Sequence, residues 1–240
     1  MPPSNSNSVP VNQLLASLPQ EEYQRLVPYL EPVSLSLGQV LYEVGETIEY
    51  VYFLDGALVS LVSLLEDGST TEVGIVGNDG VVGIPVFLGG HFTTNRAIVQ
   101  MAGTAKRMDA DSVKTEFNRG ETMQRLLLLY TQALLTQVSQ TAICNRHHPL
   151  EERLARWLLT AQDYAFSNSL QLTQEFISNM LGTRRSGVTV AASRLQQAGI
   201  IRYNRGRITI LNREALATMA CECYGVVKRE FHRLFDLDLG

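Results

Sequence analysis

The sequence predicts an α+β fold: an N-terminal antiparallel β body, one long central helix, and a C-terminal helical module closed by a β-hairpin. Three observations carry this. Between Pro32 and about Asp111, Gly38, Gly45, Gly56, Gly68, Gly77, Gly89 and Gly103 punctuate runs such as "YVYFLDGALVSLV" and "TTEVGIVG". Turn signals at that spacing between β-branched and aromatic runs mark an all-β sandwich or barrel. Next, "ETMQRLLLLYTQALLTQVSQTAICN" reads as one long helix, with Met123, Tyr130 and Gln137 seven apart and Leu127, Leu134 and Thr141 as a companion row. Last, two short helical patterns meet at Gly182 and run into the strand pattern "IIRYNRGRITIL". The expected boundaries are 1–120 for the β body with its helical lead-in, 121–146 for the central helix and 147–240 for the C-terminal module.

Composition bounds what such a chain does. Its 240 residues are 45% hydrophobic and its mean hydropathy is near zero, enough for a sizeable core in a water-exposed fold. No run of about 18 uncharged apolar residues offers a membrane span. The start, "MPPSNSNSVP", is polar, expected to fray and unlike a signal peptide, so a cytoplasmic location is expected. The net charge of −4 hides an asymmetry: Gln171–Phe235 holds ten Lys/Arg against four Asp/Glu, whereas residues 1–170 hold ten against eighteen. A basic end on an acidic body suits a polyanionic partner bound at that end.

Taken in chain order, Asp55-Gly56 and Asp67-Gly68 have hairpin chemistry. The seven-residue rows of the central helix suit a seam between two parallel copies, hence a homodimer. The leucines at 126–129 wrap around the helix, so it also lies on the β body. Pro149 starts a new helix, "RHHPLEERLARWLLTAQDYA", that the polar "SNSLQ" closes; His147 and His148 read as a solvated hinge. Cys144, Cys221 and Cys223 suit a reducing compartment. Cys221 and Cys223 form a C-x-C that no second pair completes, so they read as small half-buried thiols and no metal site is expected.

Thr173 is a good N-cap, and Phe176, Ile177, Met180 and Leu181 form an apolar face. Gly182 permits a tight reversal. Val188, Ala191 and Leu195 then face inward on a second helix that Gly199 ends. A hairpin follows, with Asn204-Arg205-Gly206 at its tip, where Asn and Gly tolerate positive φ. Helix, glycine turn, helix and wing make a winged helix-turn-helix. That layout accounts for Arg184 and Arg185 at a helix N-terminus, where the dipole repels each cation by about 0.3–1 kcal/mol. In a major groove, a bidentate arginine–guanine pair is worth about 1–3 kcal/mol of discrimination and outweighs the repulsion. Ser186, Gly187 and Thr189 are small enough for close backbone approach. Arg202, Arg205 and Arg207 place charge on the wing for phosphates.

These pieces, with "EERLARWLL" and "LTQEFISNMLGTRRSGVTVAASRLQQAGIIRYNRGRITI", resemble the Crp/Fnr family of bacterial transcription regulators over essentially the whole chain. The resemblance implies a cyclic-nucleotide-binding-like β-roll, a central dimerisation helix and a C-terminal winged helix-turn-helix. It also implies a homodimer on a two-fold symmetric double-stranded DNA operator, a small effector, and RNA polymerase as a possible partner. It places Arg185 on the family's guanine-reading arginine. Ser186 falls where many members carry a base-reading glutamate, and Val190 where some carry a second arginine. "VGIPVFLGG…TTNRAIV" looks like the family's phosphate-binding cassette, with Gly83 and Arg96 on its glycine and arginine. Ile84 replaces the ribose-binding glutamate and Ala97 a phosphate-binding serine or threonine, while Ser139 matches a position that reaches the ligand base. A ribose hydroxyl left unpaired against Ile84 costs on the order of 1–3 kcal/mol, which disfavours cyclic AMP. Another nucleotide messenger such as a cyclic dinucleotide, or the dicarboxylate 2-oxoglutarate, suits the arginine fork of Arg96. The alternatives are no effector, with Arg96 paired to an internal carboxylate, or a scaffold whose winged helix binds protein. The family's iron–sulfur sensors need an N-terminal cysteine cluster, which this sequence lacks. A haem sensor needs axial ligands, and His91 is the one β-body histidine. No G-x-S-x-G, P-loop or H-E-x-x-H appears, so no catalytic residues and no enzyme are expected.

Overall fold

Side-chain alternation along short strands builds the N-terminal half. The computed structural model describes residues 12–165 and 167–236; "MPPSNSNSVP", expected to fray, lies outside the described residues. Two short helices, α1 (Gln13–Ala16) and α2 (Gln20–Leu26), lead into eight strands: β1 (Glu31–Leu35), β2 (Val40–Tyr42), β3 (Tyr50–Asp55), β4 (Leu58–Leu64), β5 (Thr70–Val76), β6 (Val81–Val82), β7 (Asn95–Met101) and β8 (Gly103–Asp109). They form two antiparallel four-stranded sheets, ordered β1-β8-β3-β6 and β2-β7-β4-β5. Val51, Phe53, Met108, Val59, Val99 and their neighbours fill the core between the sheets.

The two aspartate–glycine turns differ. Asp67-Gly68 closes a hairpin, β4 on β5 with Leu64 opposite Thr70, and the Asp67 carboxylate accepts from the Ser69 N–H at 2.8 Å. Asp55-Gly56, expected as a second hairpin, carries the chain from one sheet to the other, because β3 pairs with β6 and β8 while β4 pairs with β5 and β7. Its glycine takes φ 78° at this crossing and makes a single bridge to Thr104 of β8.

After α3 (Ala110–Phe117) comes the long helix α4 (Thr122–His147), then α5 (Leu150–Ala165). The rows expected to face a second copy face inward instead. Met123, Leu127, Tyr130, Leu134, Gln137 and Thr141 are all buried within the chain. Tyr130 and Leu134 belong to the core of the roll, and the Gln137 side chain accepts from the Ile75 N–H of β5 at 2.6 Å. A seven-residue spacing recurs on every face of a helix, so spacing alone does not say which row meets a partner. The large apolar residues left exposed on α4 are Leu128 (46%), Leu135 (62%) and Ile143 (47%).

With α5, the C-terminal module comprises β9 (Ser169–Gln171), α6 (Gln174–Met180), α7 (Arg185–Gln197), β10 (Ile201–Asn204), β11 (Arg207–Ile210), α8 (Arg213–Met219) and α9 (Cys223–Asp236). The stretch "SNSLQ", expected only to close a helix, supplies β9, which pairs with β11 and makes the wing a three-stranded sheet. Helix α9 returns along α4, its Phe231 ring 6.3 Å from that of Tyr130. Among the described residues, no helix is long and apolar enough to cross a membrane.

Strands β4 and β5 form a wall shared by two cores. Val59, Leu61 and Val76 point into the roll. Leu58, Val62 and Ile75 point the other way and pack with Trp157, Leu158, Met180 and Leu181 of the C-terminal module. Glu72 is buried in this second contact, accepting from the Trp157 indole at 2.8 Å and from the Ser60 hydroxyl. Burial pushes its carboxyl from 4.5 up to about 7 despite those donors and the nearby Arg156 charge. The folded state therefore holds this proton more tightly than the unfolded chain. The stability so gained is complete below pH 4.5 and is lost as pH rises through about 7, by on the order of 3 kcal/mol. Glu72→Gln, which keeps an acceptor but cannot ionise, is expected to flatten the pH dependence of the urea midpoint between pH 5 and 8. Parallel wild-type and variant profiles would show that Glu72 does not titrate across folding.

Candidate DNA-reading surface and sensor site

The reading surface starts from local backbone rules. The Thr173 hydroxyl accepts from the Phe176 N–H at 3.1 Å and caps α6. Gly182, at φ 56°, reverses the chain, and the Thr183 N–H closes the turn on the Ser178 carbonyl at 3.0 Å. Ile177, Leu181, Val188, Ala191 and Leu195 are buried, which fixes the angle between α6 and α7. The opposite side of α7 presents Arg185, Ser186, Thr189 and Val190 to solvent, with Arg184 at the N-cap. Gly187, expected to let the helix backbone approach a duplex, is half-buried. A Cβ there would lie 3.0 Å from Leu150, so this glycine admits α5.

Among the described residues Arg185 has no carboxylate partner. Its Nε lies 3.5 Å from the Gln174 amide oxygen, which also accepts from the Thr189 hydroxyl at 3.0 Å. Among the described residues, none of Arg184, Arg185, Arg202, Arg205 and Arg207 forms an ion pair, whereas Arg194, farther along α7, is paired with Glu151.

The tip of the wing is a two-residue loop. Asn204 pairs with Arg207, and it is Arg205 (φ 47°) and Gly206 (φ 75°) that take the left-handed conformation, not Asn204. A side chain in that region costs on the order of 1 kcal/mol, so Arg205 is held at the tip against a local preference. It shares one shallow groove with Arg185, Gln174 and Tyr203. Arg202 and Arg207 lie on the outer face of the three-stranded sheet beside Gln171 and Thr209, a second groove that Arg205 also borders. The buried Ile201, Ile208 and Ile210 fill the face beneath.

The residues expected to bind an effector do not form a free anion site. Gly83, at φ 110°, caps the short 3-10 turn Ile84–Val86, and a Cβ on it would come within 3.2 Å of Val51. Ile84 packs against the roll core. The Arg96 Nε is 2.7 Å from Glu43, so the expected phosphate fork already holds a carboxylate. Ala97 is 0% exposed, inside the apolar core. Ser139 lies on the solvent side of α4, while its neighbour Gln137 reaches β5. A cavity of about 380 Å³ lies elsewhere, among α4, α5, α9 and the turn at Asn78-Asp79, lined by Gln137, Arg156, Tyr164 and Tyr224.

One cluster escaped the sequence reading. The thiols of Cys144 and Cys221 approach to 3.5 Å, and the Cys223 thiol lies 3.6 Å from His148 Nδ1. These four ligand atoms all fall within 4.8 Å of one another. The C-x-C thus meets a third thiol and an imidazole across the fold; His148, read as part of a solvated hinge, is half-buried against these thiols, while His147 is exposed. Locally the sequence shows two separate halves, Cys144 with His148 four residues on and Cys221 with Cys223; it does not show that they meet, because Cys144 and Cys221 are 77 residues apart.

Residues 32–119 match the cyclic nucleotide-binding domain family and residues 152–219 the Crp-like helix-turn-helix domain family. The Global nitrogen regulator of Synechococcus elongatus is 26% identical over 192 residues, which is 75% of this chain and 85% of that protein. FixK2 from Bradyrhizobium japonicum shares the fold at 21% identity, with a TM-score of 0.68 over 80% of this chain and 98% of its own. A CRP-family transcriptional regulator of Thermus thermophilus does so at 20% identity and a TM-score of 0.67, over 78% and 96%. All of these are regulators and not enzymes. With a cyclic nucleotide-binding-like roll packed on a Crp-like reading head, this chain belongs to the Crp/Fnr family of DNA-binding transcription regulators.

Proposed function

We propose that the protein is a sequence-specific regulator that reads a two-fold symmetric operator as a homodimer, with Arg185 as its guanine-reading side chain. The observation that carries this is the exposed guanidinium at the N-terminus of α7, beside the wing, in contact with the neutral Gln174 amide and with no carboxylate partner among the described residues. Arg184, Ser186 and Thr189 are exposed beside it in the first turns of α7. Val190, 51% exposed, offers a methyl surface of the kind that meets thymine, where an arginine would meet guanine. Arg205, sharing the Arg185 groove, reaches phosphates next to the reading helix, and Arg202 and Arg207 add charge farther out on the wing.

The exposed side of α4 supplies the dimer seam in this reading. Leu128, Gln132, Leu135, Ser139 and Ala142 recur at alternating steps of four and three on that side, the spacing of a parallel coiled coil. In such a dimer two reading helices address half-sites about 34 Å apart.

For the sensor, Arg96 engaged by Glu43 and Ala97 sealed in the core favour a small effector other than cyclic AMP, one whose phosphate or carboxylate displaces Glu43. The same ion pair favours a second reading, a regulator with no effector, in which Arg96 and Glu43 lock the roll.

Three outcomes test these assignments. Arg185→Ala should cut preference for the cognate over a scrambled site about 10–100-fold, whereas Arg205→Ala should weaken both equally and lower the salt slope of binding by about 0.9. Unchanged selectivity in Arg185→Ala removes that residue from base reading. Leu135→Arg should convert the sedimenting dimer to monomer and abolish tight operator binding; a persisting dimer places the seam elsewhere. In a thermal-shift panel, cyclic AMP should leave the melting temperature unchanged, and an effector such as a cyclic dinucleotide or 2-oxoglutarate should raise it. No shift with any messenger, in wild type or in Glu43→Gln, selects the effector-free reading.

A further inference from the structure

The geometry points to a mononuclear metal site of three cysteines and one histidine, of the kind that holds structural zinc, at the hinge between α4 and the reading head. The proposed ligands are the sulfurs of Cys144, Cys221 and Cys223 and the Nδ1 of His148. Cys144 and His148 are four residues apart, so the end of α4 turns both toward one point. Cys221 and Cys223 approach from the other side, at the start of α9.

Distances select the kind of centre. Tetrahedral zinc bonds of about 2.3 Å to sulfur and 2.0–2.1 Å to nitrogen imply edges of about 3.8 Å between sulfurs and about 3.6 Å between sulfur and nitrogen. The fold holds Cys144 and Cys221 at 3.5 Å and Cys223 and His148 at 3.6 Å. All four donor atoms lie within 4.8 Å, which leaves room for one ion at their centre and none for the sulfides of a polynuclear cluster. Three soft thiolates and one imidazole suit zinc over calcium or magnesium, which take oxygen ligands.

The surroundings fit the same assignment. His148 Nε2 lies 3.2 Å from the Glu222 carboxylate, the contact that fixes a metal-bound imidazole with Nδ1 free for the ion. Three thiolates and one dication carry a net negative charge. Arg153 and Arg156 are buried close by, each with an Nε that has no hydrogen-bond partner. Arg153 donates to the side chain of Asn145, the residue after Cys144, at 2.7 Å, and Arg156 lines one cavity with Cys223. Buried cations without full pairing are expensive, and an anionic metal centre compensates them.

The ligand positions give the site its role. Cys144 and His148 immediately precede the reading head, and Cys221 and Cys223 immediately follow α8. One ion therefore ties together both ends of residues 149–220 and fastens the head to the hinge. Metal loading closes this loop in the folded protein and adds its binding energy to the fold.

The test uses the full chain, purified under reducing conditions without chelator. Elemental analysis should find one zinc per chain. Zinc-free protein titrated with Co2+ should develop the strong visible bands of tetrahedral cobalt and a thiolate-to-cobalt charge-transfer band, saturating at one equivalent. Cys144→Ser and Cys221→Ser should lose both the zinc and the spectrum, while His148→Cys should keep them with four thiolate ligands. Should the serine variants fail to fold, Glu222→Gln leaves all four ligands in place and should weaken metal binding about 10–100-fold in competition with a chelating dye. The proposal is overturned by reduced wild-type protein that takes up no Co2+ or gives an octahedral spectrum. An iron–sulfide chromophore, or a Cys144–Cys221 disulfide in the reduced preparation, overturns it equally. None of these readouts depends on DNA binding.

Discussion

The molecule is organised around a wall with two buried faces. Strands β4 and β5 seal the roll on one side and carry the reading head on the other, Leu58 and Val62 alternating with Val59 and Leu61. A half-solvated sheet would leave the head swinging on α4 alone. Burying the second face makes the orientation of the head a packing problem, and Glu72 sets its geometry because a buried carboxyl must find its donors. Trp157 and Ser60 are those donors, so the contact is directional as well as apolar. Gly182 adds a steric term. A Cβ there would lie 2.8 Å from the Thr71 hydroxyl, so the glycine that turns the chain between α6 and α7 also lets the head sit on β5.

Charge is distributed accordingly. Cations away from the reading surface are paired: Arg96 to Glu43 and Arg107 to Glu31 in the roll, Arg213 to Asp163 within the C-terminal module. Those on the reading surface are not, and Arg185 rests on a neutral amide. A guanidinium held by an amide loses little on exchanging that partner for a base or a phosphate, whereas one held by a carboxylate must break an ion pair first. The same comparison separates the two ends of the protein. The head is prepared for a polyanion, and the sensor arginine is already satisfied.

The hinge joins these two halves. Helix α4 enters it, α5 leaves it, and α9 returns to it, so movement of the head relative to the roll must pass through the neighbourhood of Cys144 and His148. The three thiols form a small buried cluster of their own, apart from both larger cores.

Local pattern revealed much of this. Glycine-punctuated β runs, one long helix, a glycine between two short helices and an arginine-rich hairpin are all fixed by neighbours in the chain, as are the exposed positions of Arg184 and Arg185 at a helix start. What lay outside its reach depended on residues distant along the chain. The heptad rows of α4 were visible, but which row turns inward follows from the roll and α9 taking the Tyr130 side. The family resemblance implied an anion-binding role for Arg96, and only the folded chain sets Glu43, 53 positions away, against it. Cys221 and Cys223 were legible as an incomplete pair until α9 brought them to Cys144 and His148. Periodicity and capping are determined over a few residues, because they arise from backbone hydrogen bonds within a turn or two. Partners for buried faces, charges and thiols are settled by packing, which acts through space and leaves no periodic trace in the chain.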